Sequence, residues 1–228
     1  MSKISLGDKL IAGVDEAGRG CVIGPLAIAG VMMKESNLHL LKDIGVKDSK
    51  LLTPQKRKTL SIEIMRLVEK YAVLKLEPLE IDRVVESERK LHKLNRLEAQ
   101  TMARIIENLK PDTVYVDAAD VLEHRFRSHI QEELSIKTTI VSEHKADRTY
   151  PIVSAASIVA KVERDRSIAL LSKEHGDFGS GYLTDPKTMV FLKKWLKAHS
   201  DYPDFVRKSW KPAKKAKDEN KTLQTRLV

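Results

Sequence analysis

Residues 11–20 read Ile-Ala-Gly-Val-Asp-Glu-Ala-Gly-Arg-Gly, an apolar run that ends in two adjacent carboxylates and a Gly-Arg-Gly turn. The apolar part predicts a buried strand over residues 10–14. Because neighbours on a strand point to opposite faces, Asp15 and Glu16 can converge only at a strand end or a bulge, or on a cation reached from two sides. Alternatively, the two acids open a polar turn in which Gly18 and Gly20 supply positive φ angles. The apolar run directly before the acids favours the first interpretation.

The rest of the chain alternates between strand and helix patterns. A second strand over 22–33 follows the Gly-Arg-Gly turn, and so short a connection favours an antiparallel pair. A short strand ends at Asp117, and the helix and strand that follow it complete a parallel unit. The other elements are predicted at 53–70 (helix), 71–76 (strand), 80–109 (one short and one long helix), 121–134 (helix), 136–141 (strand), 150–171 (helix) and 185–198 (helix). Residues 211–228 are rich in lysine and poor in apolar side chains, which predicts a flexible tail.

The composition restricts the partners and the location of the protein. Its 41 Lys and Arg residues against 32 Asp and Glu give a formal net charge of +9, which indicates a polyanionic partner, although surface lysines can also simply confer solubility. Cys21 is the single cysteine, which excludes an internal disulfide and a cysteine-based zinc cluster and fits a reducing compartment. The longest apolar run, 22–33, is too short and too interrupted for a membrane span, and the polar start does not resemble a signal peptide. We expect a cytoplasmic protein without a membrane segment.

Two further aspartates lie where a catalytic site would need them. Asp117 ends a predicted strand, and Asp147 follows the last predicted strand just before a long helix. Ligands of α/β sheets collect at the carboxyl ends of strands, so these residues can join Asp15 and Glu16 in one cluster. Four carboxylates would repel each other unless a divalent cation lies between them, and all-oxygen ligands favour Mg²⁺ or Mn²⁺. Two such ions about 4 Å apart would activate a water and stabilise the leaving oxygen of a phosphodiester.

The Gly-Arg-Gly turn does not match a nucleotide-binding motif. The spacing of its glycines is not G-x-G-x-x-G, and a strand pattern rather than a helix follows it. The turn therefore cannot place a helix N-terminus on a pyrophosphate. Its bare backbone can instead press against a sugar, which suits the reading of a 2′-hydroxyl, the group that distinguishes RNA from DNA.

Taken together, these motifs resemble those of the type 2 ribonuclease H family, specifically ribonuclease HII of the archaeal kind. The resemblance extends from residue 11 to about residue 210. Its motifs are Gly-Val-Asp-Glu-Ala-Gly-Arg-Gly at 13–20, Val-Lys-Asp-Ser-Lys at 46–50, Tyr-Val-Asp at 115–117, Lys-Ala-Asp at 145–147 before Ser-Ala-Ala-Ser-Ile-Val-Ala-Lys at 154–161, and Gly-Ser-Gly-Tyr at 179–182.

The resemblance implies an α/β protein with the RNase H-like fold, in which three antiparallel and two parallel strands form a five-stranded mixed sheet flanked by helices. It divides the chain into a catalytic domain at 1–176, a small helical C-terminal extension at 177–210 and a basic flexible tail at 211–228. It further implies a metal-dependent endonuclease that cleaves RNA in RNA/DNA hybrids. The same enzyme would cut 5′ of single ribonucleotides embedded in duplex DNA, leaving 3′-hydroxyl and 5′-phosphate ends.

The resemblance also assigns roles to individual residues. The catalytic, metal-binding acids would be Asp15, Glu16, Asp117 and Asp147, holding two Mg²⁺ or Mn²⁺ ions during catalysis. The substrate-binding residues fall into three groups: Gly18, Arg19 and Gly20 would grip the ribonucleotide and its 2′-hydroxyl, Lys47, Ser49 and Lys50 would hold nearby phosphates, and Tyr182 would stack on the sugar after the junction.

Three positions depart from the pattern of the family: Cys21 and Leu183 stand where proline is usual, and Leu51 stands where a second lysine is usual. None is a metal ligand, so they bear on fine positioning rather than on the reaction. The chain ends in Gln-Thr-Arg-Leu-Val at 224–228, which lacks the aromatic pair of a sliding-clamp peptide. We therefore expect no binding to a sliding clamp by that route. Separately, we expect the protein to be a monomer.

Two other functions remain open at this point. Another RNase H-like nuclease, such as a Holliday-junction resolvase or an integrase-type enzyme, would share the acids and the basic charge, but it gives no reason for the Gly-Arg-Gly turn. A non-catalytic nucleic-acid-binding module would need only the basic charge. Such a binder would gain nothing from four acids that repel phosphate.

Overall fold

A five-stranded mixed sheet is the centre of the fold. The computed structural model describes residues 8–46, 49–88 and 91–225. Within these residues the strands are β1 (Leu10–Ala17), β2 (Leu26–Lys34), β3 (Lys70–Leu76), β4 (Thr113–Asp117) and β5 (Thr139–Glu143). They lie side by side in the order β3-β2-β1-β4-β5. The α/β class and the mixed sheet predicted from the sequence are confirmed.

The parallel part of the sheet determines where its acids lie. Strand β4 pairs in parallel with both β1 and β5, so the predicted parallel unit is confirmed. In the β1–β4 pair, Val14 lies opposite Val116. The next residues along the two strands are Asp15 and Asp117, so the two aspartates lie side by side where β4 ends.

Three strand boundaries differ from the sequence-based prediction. Strand β1 continues through Ala17, so both of its acids belong to the strand. Strand β2 begins at Leu26 rather than at residue 22, because Gly24 has φ +86° and Pro25 has no N–H to donate to a ladder. Strand β5 begins at Thr139, which lies opposite the first residue of β4, Thr113.

The described chain contains the six predicted helices in their predicted order and three helices that the sequence did not predict. They are α1 (His39–Asp43), α2 (Pro54–Leu67), α3 (Pro78–Glu86), α4 (Lys93–Leu109), α5 (Glu123–Glu133), α6 (Ala146–Thr149), α7 (Pro151–His175), α8 (Pro186–Ala198) and α9 (Lys211–Thr225). The three that the sequence did not predict are α1, α6 and α9. Two begin with the predicted caps: the Thr53 hydroxyl accepts a hydrogen bond from the Lys56 amide at 3.3 Å, and an Asp185 carboxylate oxygen accepts one from the Lys187 amide at 2.9 Å. None of the described helices is long and apolar enough to cross a membrane.

Helix α9 occupies most of the stretch for which the sequence predicted an irregular tail. Its Ala213 is fully buried, and Lys214 and Lys217 form ion pairs of 2.9 Å with Glu86 and 2.5 Å with Asp201. Lysine and alanine are good helix formers, so a lysine-rich composition is compatible with a helix once one face finds a surface to pack on.

The chain divides into two compact units. The first comprises the residues up to Ala17, Ile28–Leu74 and Asn95–Val162, and the second comprises Gly18–Ala27, Lys75–Leu94 and the residues from Glu163 onward. Each unit has its own apolar core, centred on α2 and the first half of α7 in the first unit and on α8 in the second. The division into domains at 1–176, 177–210 and 211–228 remains a prediction.

Candidate active site

Three of the four predicted acids come together in the first unit. Carboxylate oxygens of Asp15, Asp117 and Asp147 all lie within 4.8 Å of one another. Asp15 and Asp117 come from the adjacent parallel strands β1 and β4, and Asp147 comes from the first turn of α6. The left-handed backbone of Lys145, with φ 59°, turns the chain from β5 into this short helix. The fold therefore brings Asp15 together with two aspartates that are more than a hundred positions further along the sequence.

Gly13 allows this gathering. A Cβ atom added at Gly13 would lie 2.3 Å from the carbonyl oxygen of Ile152 and 2.6 Å from the amide nitrogen of Val153. The first turn of α7 thus packs directly on the backbone of β1, with no room for a side chain between them. This close approach holds the chain that carries Asp147 against the strand that carries Asp15.

The Asp15 carboxylate is buried among other negative charges. Asp15 is 4% exposed, and burial raises its pKa well above the usual range, with further upward contributions from the charges of Glu16 and Asp117. Hydrogen bonds from the Ser157 hydroxyl and from the Glu16 amide, the latter at 2.7 Å, oppose this rise. The arrangement is unfavourable for a bare carboxylate and favourable for one that binds a cation.

Backbone contacts fix the other two aspartates. The Asp117 carboxylate accepts a hydrogen bond from the Ala146 amide at 3.1 Å, which ties the end of β4 to the start of α6. The Ser154 hydroxyl of α7 donates to the main-chain carbonyl of Asp147 at 2.5 Å. Both aspartates are therefore held by the chain around them before any ligand arrives.

Glu16, the fourth predicted acid, lies next to this cluster but is not one of its three members. It follows Asp15 on β1 and is half-buried, and its charge contributes to the raised pKa of Asp15. Because adjacent residues on a strand point to opposite faces, Glu16 cannot approach the cluster from the same side as Asp15.

The donor set fits a hard divalent cation. It consists of carboxylate oxygens that are already close together, two of them on residues that are no more than 4% exposed. A divalent cation between them would replace mutual repulsion by attraction, and oxygen-only ligands suit Mg²⁺ and Mn²⁺. The predicted metal site is therefore chemically plausible at this edge of the sheet.

The predicted phosphate-binding residues are placed only in part. Lys47 lies outside the described residues, and Lys50 lies in the short 3-10 turn Ser49–Leu51. Ser49 is fully buried, and its hydroxyl oxygen lies 3.0 Å from that of Ser157. Since the Ser157 hydroxyl donates to Asp15, its oxygen is available to accept the proton of Ser49. The Ser49 side chain thus faces the supports of the acidic cluster.

The Gly-Arg-Gly turn lies in the second unit, where a buried arginine donates hydrogen bonds to its backbone carbonyls. The Arg207 guanidinium donates to the carbonyls of Gly18 and Arg19, at 2.7 Å each, and to that of Gly24 at 3.1 and 3.2 Å. Gly18 has φ +90°, as predicted. Of the two positive φ angles that the alternative polar-turn interpretation requires, only that of Gly18 is present, and a Cβ added at Gly20 would meet no atom within 4 Å. Gly20 is exposed, so its lack of a side chain leaves open space above the turn.

Tyr182 also lies in the second unit, where a second buried arginine contacts it. The Arg164 guanidinium carbon lies 4.7 Å from the centre of the Tyr182 ring, and its Nη2 donates to the Ser180 carbonyl and, at 2.9 Å, to the Cys21 sulfur. Burial, with a further contribution from Cys21, raises the pKa of Tyr182 to about 12. The phenol therefore stays protonated at neutral pH.

Sequence reasoning missed both arginines. In a chain with 41 basic residues, nothing in the local sequence distinguishes a buried arginine from a surface one. The three departures from the family pattern have simple settings: Cys21 is buried beside Arg164, Leu183 packs on the core of the second unit, and Leu51 is 71% exposed.

Comparisons with known proteins agree with this geometry. The family model described as Ribonuclease HII matches residues 12–213. The chain is 47% identical over 222 residues to the Ribonuclease HII of Methanosarcina barkeri, covering 93% of this chain and 97% of that protein. The crystal structure of the ribonuclease H2 from Pyrococcus horikoshii OT3 is similar, with a TM-score of 0.85 and 45% identity over 93% of this chain and 99% of that chain. So is a structure of the PCNA:RNase HII complex from Archaeoglobus fulgidus, with a TM-score of 0.81 and 42% identity over 90% and 96%. These likenesses confirm the RNase H-like fold, and the chain belongs to the ribonuclease HII family of metal-dependent ribonucleases H.

Proposed function

We propose that the protein is an endoribonuclease that cleaves RNA in RNA/DNA hybrids and cuts 5′ of single ribonucleotides embedded in duplex DNA. The products carry 3′-hydroxyl and 5′-phosphate ends. The observation that carries this proposal is the cluster of three aspartates whose carboxylate oxygens lie within 4.8 Å of one another, two on the adjacent parallel strands β1 and β4 and one on α6, in a chain with a net charge of +9. A protein that only bound nucleic acid would lose affinity by placing such a cluster near phosphates.

The four acids divide the metal-binding work. Asp15, Asp117 and Asp147 hold the cation between them, and Glu16 adds a fourth carboxylate from the adjoining position on β1. Two Mg²⁺ or Mn²⁺ ions bound by these carboxylates would supply activation of a water and stabilisation of the leaving oxygen of the phosphodiester. The protein contributes three carboxylates that already lie close together.

The remaining predicted residues bind the substrate. Gly18, Arg19 and Gly20 read the sugar of the ribonucleotide through their backbone, because a backbone can detect a 2′-hydroxyl but offers no code for a base. Tyr182 provides an aromatic surface for the following sugar. This part of the proposal is supported by the exposed position of Gly20 and by the contacts that fix the turn and the tyrosine.

Phosphates near the cut are held by the loop over 46–50. Lys47 and Lys50 supply charge, and a phosphate contact of Ser49 has to come from its backbone, because its hydroxyl is buried beside Ser157. The basic excess of the chain adds affinity that does not depend on sequence.

The proposal includes a monomer in the cytoplasm that processes ribonucleotides in DNA replication and repair. The similar protein of Archaeoglobus fulgidus was solved in complex with PCNA. The last five residues of this chain, Gln-Thr-Arg-Leu-Val, contain no aromatic residue.

The test is cleavage of a labelled DNA duplex that contains one ribonucleotide, in the presence of Mg²⁺ or Mn²⁺. We expect a single cut on the 5′ side of the ribonucleotide for each of the four bases, with a 3′-hydroxyl on the upstream fragment. The matched all-deoxy duplex is the control. Equal cleavage of both duplexes would instead indicate a nuclease of the same fold that does not read ribose.

A further inference from the structure

Arg207 is an unusual residue to bury, and its contacts explain why it is there. It is fully buried in the second unit, and its guanidinium donates to the carbonyls of Gly18, Arg19 and Gly24 and lies 5.0 Å from the ring of Trp210. Burying a cation is costly unless strong hydrogen bonds replace its hydration. Three carbonyl groups meet this requirement, and a guanidinium has donors in a fixed fork that can reach several acceptors at once.

The direction of these carbonyls fixes the direction of the amide groups behind them. In a trans peptide, the C=O and N–H bonds point in opposite directions. The carbonyls of Gly18 and Arg19 point inward to the guanidinium, so the N–H groups of Arg19 and Gly20 point away from it. Gly20 is exposed and has open space where a side chain would be. The amide groups at this position are therefore set by Arg207.

Arg164 does the same for the adjoining loop. It is 5% exposed, and its side chain lies directly against the backbone of two glycines with positive φ: a Cβ at Gly18 would lie 3.2 Å from its Cγ, and one at Gly181 would lie 3.2 Å from its Nη2. It also contacts the Tyr182 ring and the Ser180 carbonyl. Arg164 thus contacts both the Gly-Arg-Gly turn and the loop at residues 179–182, which carries Tyr182.

We propose that Arg207 and Arg164 are positioning residues for ribonucleotide recognition: Arg207 sets the peptide planes of the Gly-Arg-Gly turn, and Arg164 sets the ring of Tyr182 against that turn. Neither guanidinium touches the substrate. The inference rests on the proposed function, because it assigns these arginines to the same reading of the sugar. It predicts that weakening either support impairs the distinction between ribose and deoxyribose rather than the chemistry of the cut.

The experiment compares Arg207→Lys and Arg164→Lys with a control, Arg166→Lys. Lysine keeps the positive charge, but its donors lie on one nitrogen at the end of a flexible stem and do not reproduce the fixed fork of the guanidinium. Arg166 lies on the same helix as Arg164, but its side chain is 71% exposed. Binding of a duplex with one ribonucleotide and of the matched all-deoxy duplex is measured by fluorescence anisotropy in an Asp117→Asn background, which prevents cleavage. Steady-state kinetics without that background give kcat and KM.

We expect the Kd of the all-deoxy duplex divided by the Kd of the single-ribonucleotide duplex to fall at least fivefold towards one in Arg207→Lys and Arg164→Lys. The same ratio should stay unchanged in Arg166→Lys. KM for the single-ribonucleotide duplex should rise at least fivefold while kcat changes less. A loss of folded protein would lower apparent kcat but would leave KM and the binding ratio unchanged, so these readouts separate positioning from mere stability.

The outcomes distinguish this inference from the proposed function. If the parent protein binds both duplexes equally, ribonucleotide recognition itself is refuted. If the parent discriminates and both lysine variants discriminate equally well, the positioning role is refuted while the proposed function stands. If Arg207→Lys does not fold, as judged by circular dichroism, Arg164→Lys decides in the same assay.

Discussion

Replacing Asp15 by asparagine should stabilise the metal-free protein while abolishing its response to metal. Asp15 is 4% exposed, and its carboxylate lies within 4.8 Å of those of Asp117 and Asp147. Asparagine has nearly the same shape and can still accept a hydrogen bond from the Glu16 amide. It lacks the charge that burial and its neighbours make unfavourable.

The size of the effect follows from the separation of the charges. Two unit charges 4.8 Å apart repel by roughly 3.5 kcal/mol at an effective dielectric constant of about 20. Asp15 takes part in two such pairs, but its raised pKa shows that proton uptake relieves part of the repulsion. We therefore expect Asp15→Asn to raise the free energy of unfolding by about 1–3 kcal/mol at pH 8 in EDTA.

The gain should depend on pH with a definite sign. The pKa of Asp15 is higher in the folded protein than in the unfolded chain, so the folded state binds the proton more tightly. This contribution to stability is fully present below the unfolded pKa and is lost as pH rises through the folded pKa. The wild-type protein therefore loses stability relative to Asp15→Asn as pH rises, and the difference between them should shrink towards acid pH.

Metal should reverse the order of stability. A cation that binds only the folded protein stabilises it by about 4.1 kcal/mol at a thousand times its Kd, which exceeds the expected gain of the variant. We expect this gain in the wild-type protein and not in Asp15→Asn, together with loss of cleavage in the variant. The assay is urea unfolding in EDTA and in Mg²⁺ or Mn²⁺ between pH 5 and 8. Asp43→Asn, which changes an exposed aspartate of α1, is the control.

Two results would refute the reasoning. If Asp15→Asn is less stable than the wild-type protein in EDTA at pH 8, repulsion among the carboxylates of the cluster does not destabilise the folded protein. If Mg²⁺ or Mn²⁺ stabilises the variant as much as the wild-type protein, or if cleavage persists at saturating metal, Asp15 does not bind the catalytic cation.

Three further changes probe other parts of the molecule. Gly13→Ala should lower the free energy of unfolding by about 2 kcal/mol or more and weaken Mn²⁺ binding, because its Cβ would collide with the backbone at the start of α7; unchanged urea unfolding would contradict this. Replacing the exposed Lys211 and Lys215 of α9 by glutamine should make the slope of log K against log salt shallower by up to about 1.8 if both lysines contact phosphates. The slope is measured by duplex binding in a salt titration, and an unchanged slope would exclude both lysines from the interface. Deleting 211–228 should lower the thermal midpoint as well as affinity, because it removes the fully buried Ala213, whereas a solvent-exposed tail would leave the midpoint unchanged.

The sequence predicted the parallel half of the sheet because periodicity and connection length together restrict it. It did not predict where β2 begins. Val22 and Ile23 are apolar because they belong to the core of the second unit, not because they continue the strand, and apolar character alone cannot separate these two causes. Helix α9 was missed for the opposite reason: of its residues 211–218, whose burial the structure describes, only Ala213 is buried, which is too little to mark an amphipathic face in a lysine-rich stretch.

The acidic cluster could be predicted because strand ends place carboxylates at one sheet edge whatever the intervening sequence. Its supports could not. The hydroxyl of Ser49 reaches Ser157 across 108 positions, and Arg207 reaches the carbonyl of Gly18 across 189. Such contacts depend on tertiary packing, which local residue patterns do not encode. A motif therefore identified Ser49, but only the structure showed that its side chain points to the acids rather than outward.

The adjacent acids of β1 can now be explained in terms of strand geometry. Because β1 continues through Ala17, Asp15 and Glu16 are consecutive residues of a regular strand and leave it on opposite faces. A turn or a bulge would have let both join one cluster, but only Asp15 belongs to the cluster with Asp117 and Asp147. On a regular strand, the two acids can therefore act together only if they bind cations that are reached from both faces of the strand. That requirement is met more readily by two ions than by one, which is the physical reason to expect both carboxylates to be needed for catalysis.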